Sequence, residues 1–231
     1  MDERDMDDEC LMPKDLGAIA FDMDGVLVAS EREWERVFRG VLAEYGLELT
    51  DADRADLYGC SDEHENEVLS RAAGVTIEEM AASKNDYCER HPVDYGRVVI
   101  EGGREAIAHC HEVGLKVALA SSSLAVDVAR MLSETGLADS FDVVVTGDHV
   151  ERAKPDPAIY LRAAELLGME PARVVAVDDS SYGYSSAHEA GMGVIQFAHD
   201  GQPPVSPDVI AVCRDFDEVS VTVDTLLAAG E

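Results

Sequence analysis

Gly17-Ala18-Ile19-Ala20-Phe21-Asp22-Met23-Asp24-Gly25-Val26-Leu27 is the stretch whose reading decides the fold. Its first five residues are small or apolar with no polar alternation, and Asp22, Asp24 and Gly25 follow close behind. A short continuous apolar run closed by a polar turn predicts a strand buried on both faces and ending in a loop. Runs of the same character recur at residues 115–120, 143–145, 174–177 and 194–197. Helical stretches separate them: 103–113, 125–135, 155–167 with proline at the start, and 182–190 closed by Gly191. Strand and helix in alternation predict an α/β fold with a doubly wound parallel sheet.

Working outward, the segment after residue 30 breaks this rhythm. Trp34, Val37, Phe38, Val41, Leu42 and Tyr45 recur at helical spacing behind Ser30 and Glu33, which read as a capping box; Thr76 and Glu79 read as a second. A connection this long inside a compact domain must carry structure of its own. The expected organisation is therefore a core from residues 14–30 and 99–231, with an inserted all-helical cap at 31–98. The cap is expected to open and close about hinges near 28–30 and 97–102, admitting substrate and excluding water.

Composition narrows the partners. Asp and Glu number 48 against 18 Lys and Arg, for a formal charge of -30. Such a field repels nucleic acid and anionic membranes, so neither is an expected partner. The lysines are Lys14, Lys84, Lys116 and Lys154 alone. An acidic, lysine-poor chain with 46% hydrophobic residues fits a protein that works in concentrated salt, where the Debye length is about 3 Å at 1 M and self-repulsion is screened. Cys10, Cys60, Cys88, Cys110 and Cys213 form no CxxC pair, which indicates neither a disulfide framework nor a zinc site. With no long apolar run and an acidic leader at 1–13, the expected setting is the cytoplasm and the expected state a monomer or weak homodimer.

Ligands of an open α/β sheet gather outside the carboxyl ends of its strands. Those ends present Asp22 and Asp24, then Ser121, then Thr146 with Lys154 nearby, then Asp178 and Asp179. Clustered carboxylates repel one another unless a divalent cation sits among them, and Mg2+ takes one or two carboxylates, water and a phosphate oxygen. A carboxylate can then attack phosphorus. Asp24 is placed to protonate the leaving oxygen, Ser121 and the amide of Ser122 to hold phosphate oxygens, and Lys154 to offset charge.

Phe21-Asp22-Met23-Asp24-Gly25-Val26-Leu27, Leu119-Ala120-Ser121, Lys154-Pro155-Asp156-Pro157 and Val177-Asp178-Asp179-Ser180 resemble, in order, the four motifs of the haloacid dehalogenase superfamily. The resemblance implies a Rossmann-like core and a Mg2+-dependent enzyme. Asp22 is then the nucleophile, Asp24 the acid/base with its backbone carbonyl on the metal, Asp179 a direct metal ligand and Asp178 its supporting acid. Dehalogenase members lack a carboxylate at the position of Asp24, and phosphonatase members use a cap lysine, so hydrolase or mutase chemistry remains. The cap resembles the β-phosphoglucomutase-like subfamily, with Leu57-Tyr58-Gly59-Cys60-Ser61-Asp62 as the substrate-specificity loop and Gly59 as a substrate contact. Asp62 stands where the mutase pattern has an arginine, and Leu124 and Ala125 where it has a lysine and an asparagine. That favours a phosphatase acting on a small phosphorylated sugar or similar metabolite over a phosphosugar mutase. A non-catalytic phosphometabolite sensor is the third reading, and it would have no need of a nucleophile. Trp34 reads as a packing residue, the run Asp62-Glu63-His64-Glu65 as a solvated helix face, and no histidine as catalytic.

Overall fold

The computed structural model describes residues 12, 13, 15–57, 60–199 and 209–230. Gly59 and most of the acidic leader therefore lie outside the described residues. Six parallel strands form the sheet: β1 (Ala18–Phe21), β2 (Lys116–Ala120), β3 (Val143–Val145), β4 (Val174–Asp178), β5 (Gly193–Phe197) and β6 (Ala211–Cys213). Their order is β3-β2-β1-β4-β5-β6. The helices among the described residues are α1 (Glu31–Glu44), α2 (Asp51–Leu57), α3 (Asp62–Ala73), α4 (Ile77–Arg90), α5 (Gly103–Glu112), α6 (Ala125–Thr135), α7 (Ala158–Leu167), α8 (Ser181–Glu189) and α9 (Phe216–Gly230). β6 and α9 go beyond the expected set. β6 is only three residues long, but α9 buries Phe216, Val219, Val223 and Leu226, a stripe legible at helical spacing.

Period two decides how the sheet is covered. Ala18, Ala20, Ala118, Ala120 and Ala176 share one face, and their small side chains let α7 and α8 pack closely against the backbone. Ile19, Phe21, Val117, Leu119, Val175 and Val177 point the other way, toward α5 and α9. Phe21 is wholly buried beside Phe216, and its burial contributes about 1.5–3 kcal/mol.

α1 to α4 stand between β1 and β2 and pack on one another. The chain crosses between these helices and the sheet domain twice, and the crossings lie side by side: Ala29 N donates to Val98 O at 2.7 Å and Ile100 N to Leu27 O at 3.0 Å. Thr76 and Glu79 form the expected capping box, with both reciprocal bonds present. Ser30 and Glu33 do not. Ser30 has helical backbone angles and no capping bond, and its hydroxyl donates instead to the Asp24 carboxylate, a charge-assisted bond that outcompetes a neutral amide. α7 also starts later than expected, at Ala158, because Asp156 precedes Pro157 and the residue before proline avoids helical geometry.

Candidate active site

In the strand order the chain runs outward on one side of β1 and then crosses to the other, so β2 and β4 flank it. That is the switch point at which the carboxyl ends diverge and leave a crevice. Asp22 follows β1, Ser121 follows β2, and Asp178 closes β4. One oxygen from each of Asp22, Asp178 and Asp179 lies within 4.8 Å of the others.

Lys154 crosses under this group. Its Nζ donates to Asp22 Oδ1 at 2.7 Å and to Asp178 Oδ2 at 2.7 Å, and sits 4.8 Å from the centre of the Tyr160 ring. The Tyr160 hydroxyl donates to Asp178 Oδ2 at 2.7 Å, and Ser180 satisfies Oδ1 through its amide and hydroxyl. Asp178 is thus wholly buried and saturated from behind. Burial alone would raise its pKa, but the charge of Lys154 and these hydrogen bonds outweigh it and hold the carboxyl below its ordinary value. Asp22 faces the opposite balance: burial dominates, partly offset by Lys154, and pushes its pKa up to about 7. Close packing fixes the acids. A Cβ at position 25, where φ is +78°, would collide with the Asp179 carboxylate, and one at position 183 would collide with that of Asp178. Only glycine fits at either place.

The Asp24 carboxylate stands outside this three-acid group. Ser30 donates to Oδ1 and Ser123 donates to Oδ2 at 2.7 Å. Burial raises the pKa of Asp24 despite those donors. Asp22, Asp24, Ser121, Ser122, Lys154 and Asp179 all line one cavity of about 280 Å³, lined also by Trp34, Phe38, Leu57, Asp62 and Glu65 of the inserted helices. The Ser122 hydroxyl is buried there and, among the described residues, meets no hydrogen-bond partner. Oxygen-only carboxylate donors around one point suit a hard divalent cation such as Mg2+.

Two expectations change on this geometry. Trp34 is not only packing, since besides stacking on Phe38 it lines the cavity. The run Asp62–Glu65 is not wholly solvated, because Glu65 and Asp62 pair with the buried Lys84 at 2.6 Å each. Asp62 accordingly meets the cavity as part of an ion triad rather than as a lone charge. The sequence reading also passes over Tyr160, Ser30 and Ser123. Tyr160 carries a legible signal as the one hydroxyl within the buried stripe Ile159, Ala163, Ala164 and Leu167 of α7.

The chain matches the haloacid dehalogenase-like hydrolase family over residues 19–197. It is 30% identical over 219 residues to a phosphorylated carbohydrates phosphatase of Thermotoga maritima, covering 90% of this chain and 99% of that one. It is 31% identical over 197 residues to hexitol phosphatase B of Escherichia coli K12, covering 78% and 82%. Its fold superposes on CbbY from Rhodobacter sphaeroides in complex with phosphate, with TM-score 0.76, 23% identity and coverage of 90% and 99%. It likewise superposes on β-phosphoglucomutase from Clostridium difficile, with TM-score 0.76, 18% identity and coverage of 92% and 99%. Motifs at four strand ends, the switch-point cluster and this match along most of the chain agree: the protein belongs to the haloacid dehalogenase-like hydrolases.

Proposed function

We propose that this protein is a Mg2+-dependent phosphatase that hydrolyses a small phosphorylated sugar or polyol through an aspartyl-phosphate on Asp22. One observation carries the reading. Asp22 lines the cavity, fixed by the Lys154 ammonium and grouped with Asp179, while Asp24 is held two residues away by its own donors. The named relatives, which are phosphatases of phosphorylated carbohydrates and hexitols, support the substrate class.

Asp22 and Asp179, backed by Asp178, would hold the cation, joined by the Asp24 carbonyl as the family resemblance implies. When bound, it offsets the charge of the carboxylates and of the phosphoryl oxygens. In the first step Asp22 attacks phosphorus, the bond to the ester oxygen breaks, and Asp24 delivers its proton to the departing alkoxide. In the second step water attacks the phosphorus of the acyl phosphate, Asp24 takes the water's proton, and phosphate leaves with the Asp22 carboxylate restored. Lys154 keeps Asp22 oriented throughout. Ser121 and Ser122 donate to the phosphoryl oxygens, a role open to the unpartnered Ser122 hydroxyl.

Release of inorganic phosphate from a panel of sugar and polyol monophosphates, with Mg2+ and molar salt, tests the proposal. Wild type should release phosphate without a bisphosphate activator, and Asp22→Asn should release none. A requirement for bisphosphate with isomer as main product would indicate a mutase. Equal phosphate release by wild type and Asp22→Asn would remove Asp22 from its role.

A further inference from the structure

Thr146 is buried just past β3 and takes no part in the proposed chemistry. Its amide donates to His149 Nδ1 at 3.2 Å, and His149 N donates to Thr146 O at 3.0 Å, which fixes the short 3-10 turn Gly147–His149. This turn meets residues 121–125, between β2 and the start of α6, at three consecutive places. Gly147 N donates to Ser123 O at 2.9 Å. A Cβ at position 147 would come within 2.5 Å of Ser122 O, and φ there is not positive, so the nearness of the loop alone calls for glycine. Asp148 Oδ2 accepts from Ala125 N at 2.5 Å.

α6 starts at Ala125, and the first amides of a helix find no partner within it. Leu124 holds the N-cap position and brings no side-chain acceptor. Asp148 fills that gap from a different element, and its charge suits the positive end of the helix dipole. Its side chain is otherwise exposed and does not line the cavity. The loop that it braces carries groups that do. Ser122 Oγ is buried, lines the cavity and has no partner among the described residues, and Ser123 Oγ donates to Asp24 Oδ2 at 2.7 Å. Ser121 Oγ accepts from Ser123 N at 3.0 Å, which leaves its own proton to donate. Ser121 N is tied to Val145 O at 3.0 Å, so β3 anchors one end of the loop and the turn after β3 anchors the other.

We infer that Asp148 is a positioning residue for phosphate binding: it caps α6 from outside and, with Gly147, holds Ser122 and Ser123 where their hydroxyls meet the phosphoryl group and Asp24. The inference rests on the phosphatase reading of the same cavity. The test measures Ki for inorganic phosphate and KM for p-nitrophenyl phosphate in wild type, Asp148→Ala, Asp148→Asn and Gly147→Ala, after thermal melts establish folding. By charge alone, removing an acid would tighten the binding of an anion. By the cap, it loosens the loop, so Asp148→Ala should raise both constants by about three- to tenfold, the worth of one helix cap, with kcat moved less. Asp148→Asn keeps a side-chain oxygen in the capping place and should stay within about twofold of wild type. Gly147→Ala presses on Ser122 O from the same turn and should raise Ki likewise, which reads the contact should Asp148→Ala fail to fold. A folded Asp148→Ala with Ki unchanged or lowered, or an Asp148→Asn as impaired as Asp148→Ala, would overturn this inference and leave the phosphatase reading intact. Failure of wild type to release phosphate from every ester, p-nitrophenyl phosphate included, would overturn both.

Discussion

Replacing Tyr160 by Phe removes one hydroxyl and keeps the ring, so Lys154 retains its aromatic neighbour at 4.8 Å. What is lost is the 2.7 Å hydrogen bond to Oδ2 of a wholly buried carboxylate. Bonds to charged groups contribute about 1.5–3 kcal/mol, and because Lys154 still reaches Oδ2, the lower part, about 1.5–2 kcal/mol, is expected. For a chain of this size that lowers Tm by about 3–8 °C. The pH dependence follows from the depressed pKa of Asp178. A carboxyl whose folded pKa lies below its unfolded value contributes stability above the unfolded value, about 3.9, and loses it as pH falls through the folded one. The gap between wild type and Tyr160→Phe should thus be flat from about pH 5 to 8 and narrow only below about pH 4. Urea titrations in high salt at several pH values measure it. Since Asp178 backs the proposed cation site, half-maximal activity should also need about tenfold more Mg2+. A stability loss under about 0.5 kcal/mol at pH 7, the range of an inert surface change, would refute the reasoning.

Asp24→Asn should lower kcat by about 10²–10⁴-fold through loss of acid–base catalysis, read by phosphate release; activity near wild type would reassign that role. Gly25→Ala forces a side chain into the Asp179 carboxylate at positive φ, so it should both weaken Mg2+-dependent activity and cost about 1–3 kcal/mol in urea unfolding, with an unchanged midpoint counting against the tight fit. With a net charge of -30, Tm should climb between 0.1 and 2 M KCl as the Debye length drops from about 10 Å to below 3 Å; a flat or falling Tm in calorimetry would argue against a working environment of concentrated salt.

Much of this molecule is legible in the chain alone. Continuous apolar runs such as Gly17–Phe21 suffice for buried parallel strands, because only a strand covered on both faces tolerates them. The same runs end in Asp22, Ser121 and Asp178, and parallel strands deliver their carboxyl ends to one edge, so most of the candidate site can be named before any coordinates. Local signals also serve where nothing competes with them, as in the Thr76–Glu79 cap.

What the chain alone leaves open are pairings between residues far apart in sequence. Ser30 reads as a helix cap and becomes a donor to Asp24 because folding brings a buried carboxylate within its reach. Asp62 and Glu65 read as solvated until Lys84, on a different helix, arrives between them. Tyr160 reads as core until α7 lays it across Asp178. Periodicity and turn chemistry are local and survive in one dimension. The partner of a buried charge is chosen by packing, and packing exists only in three.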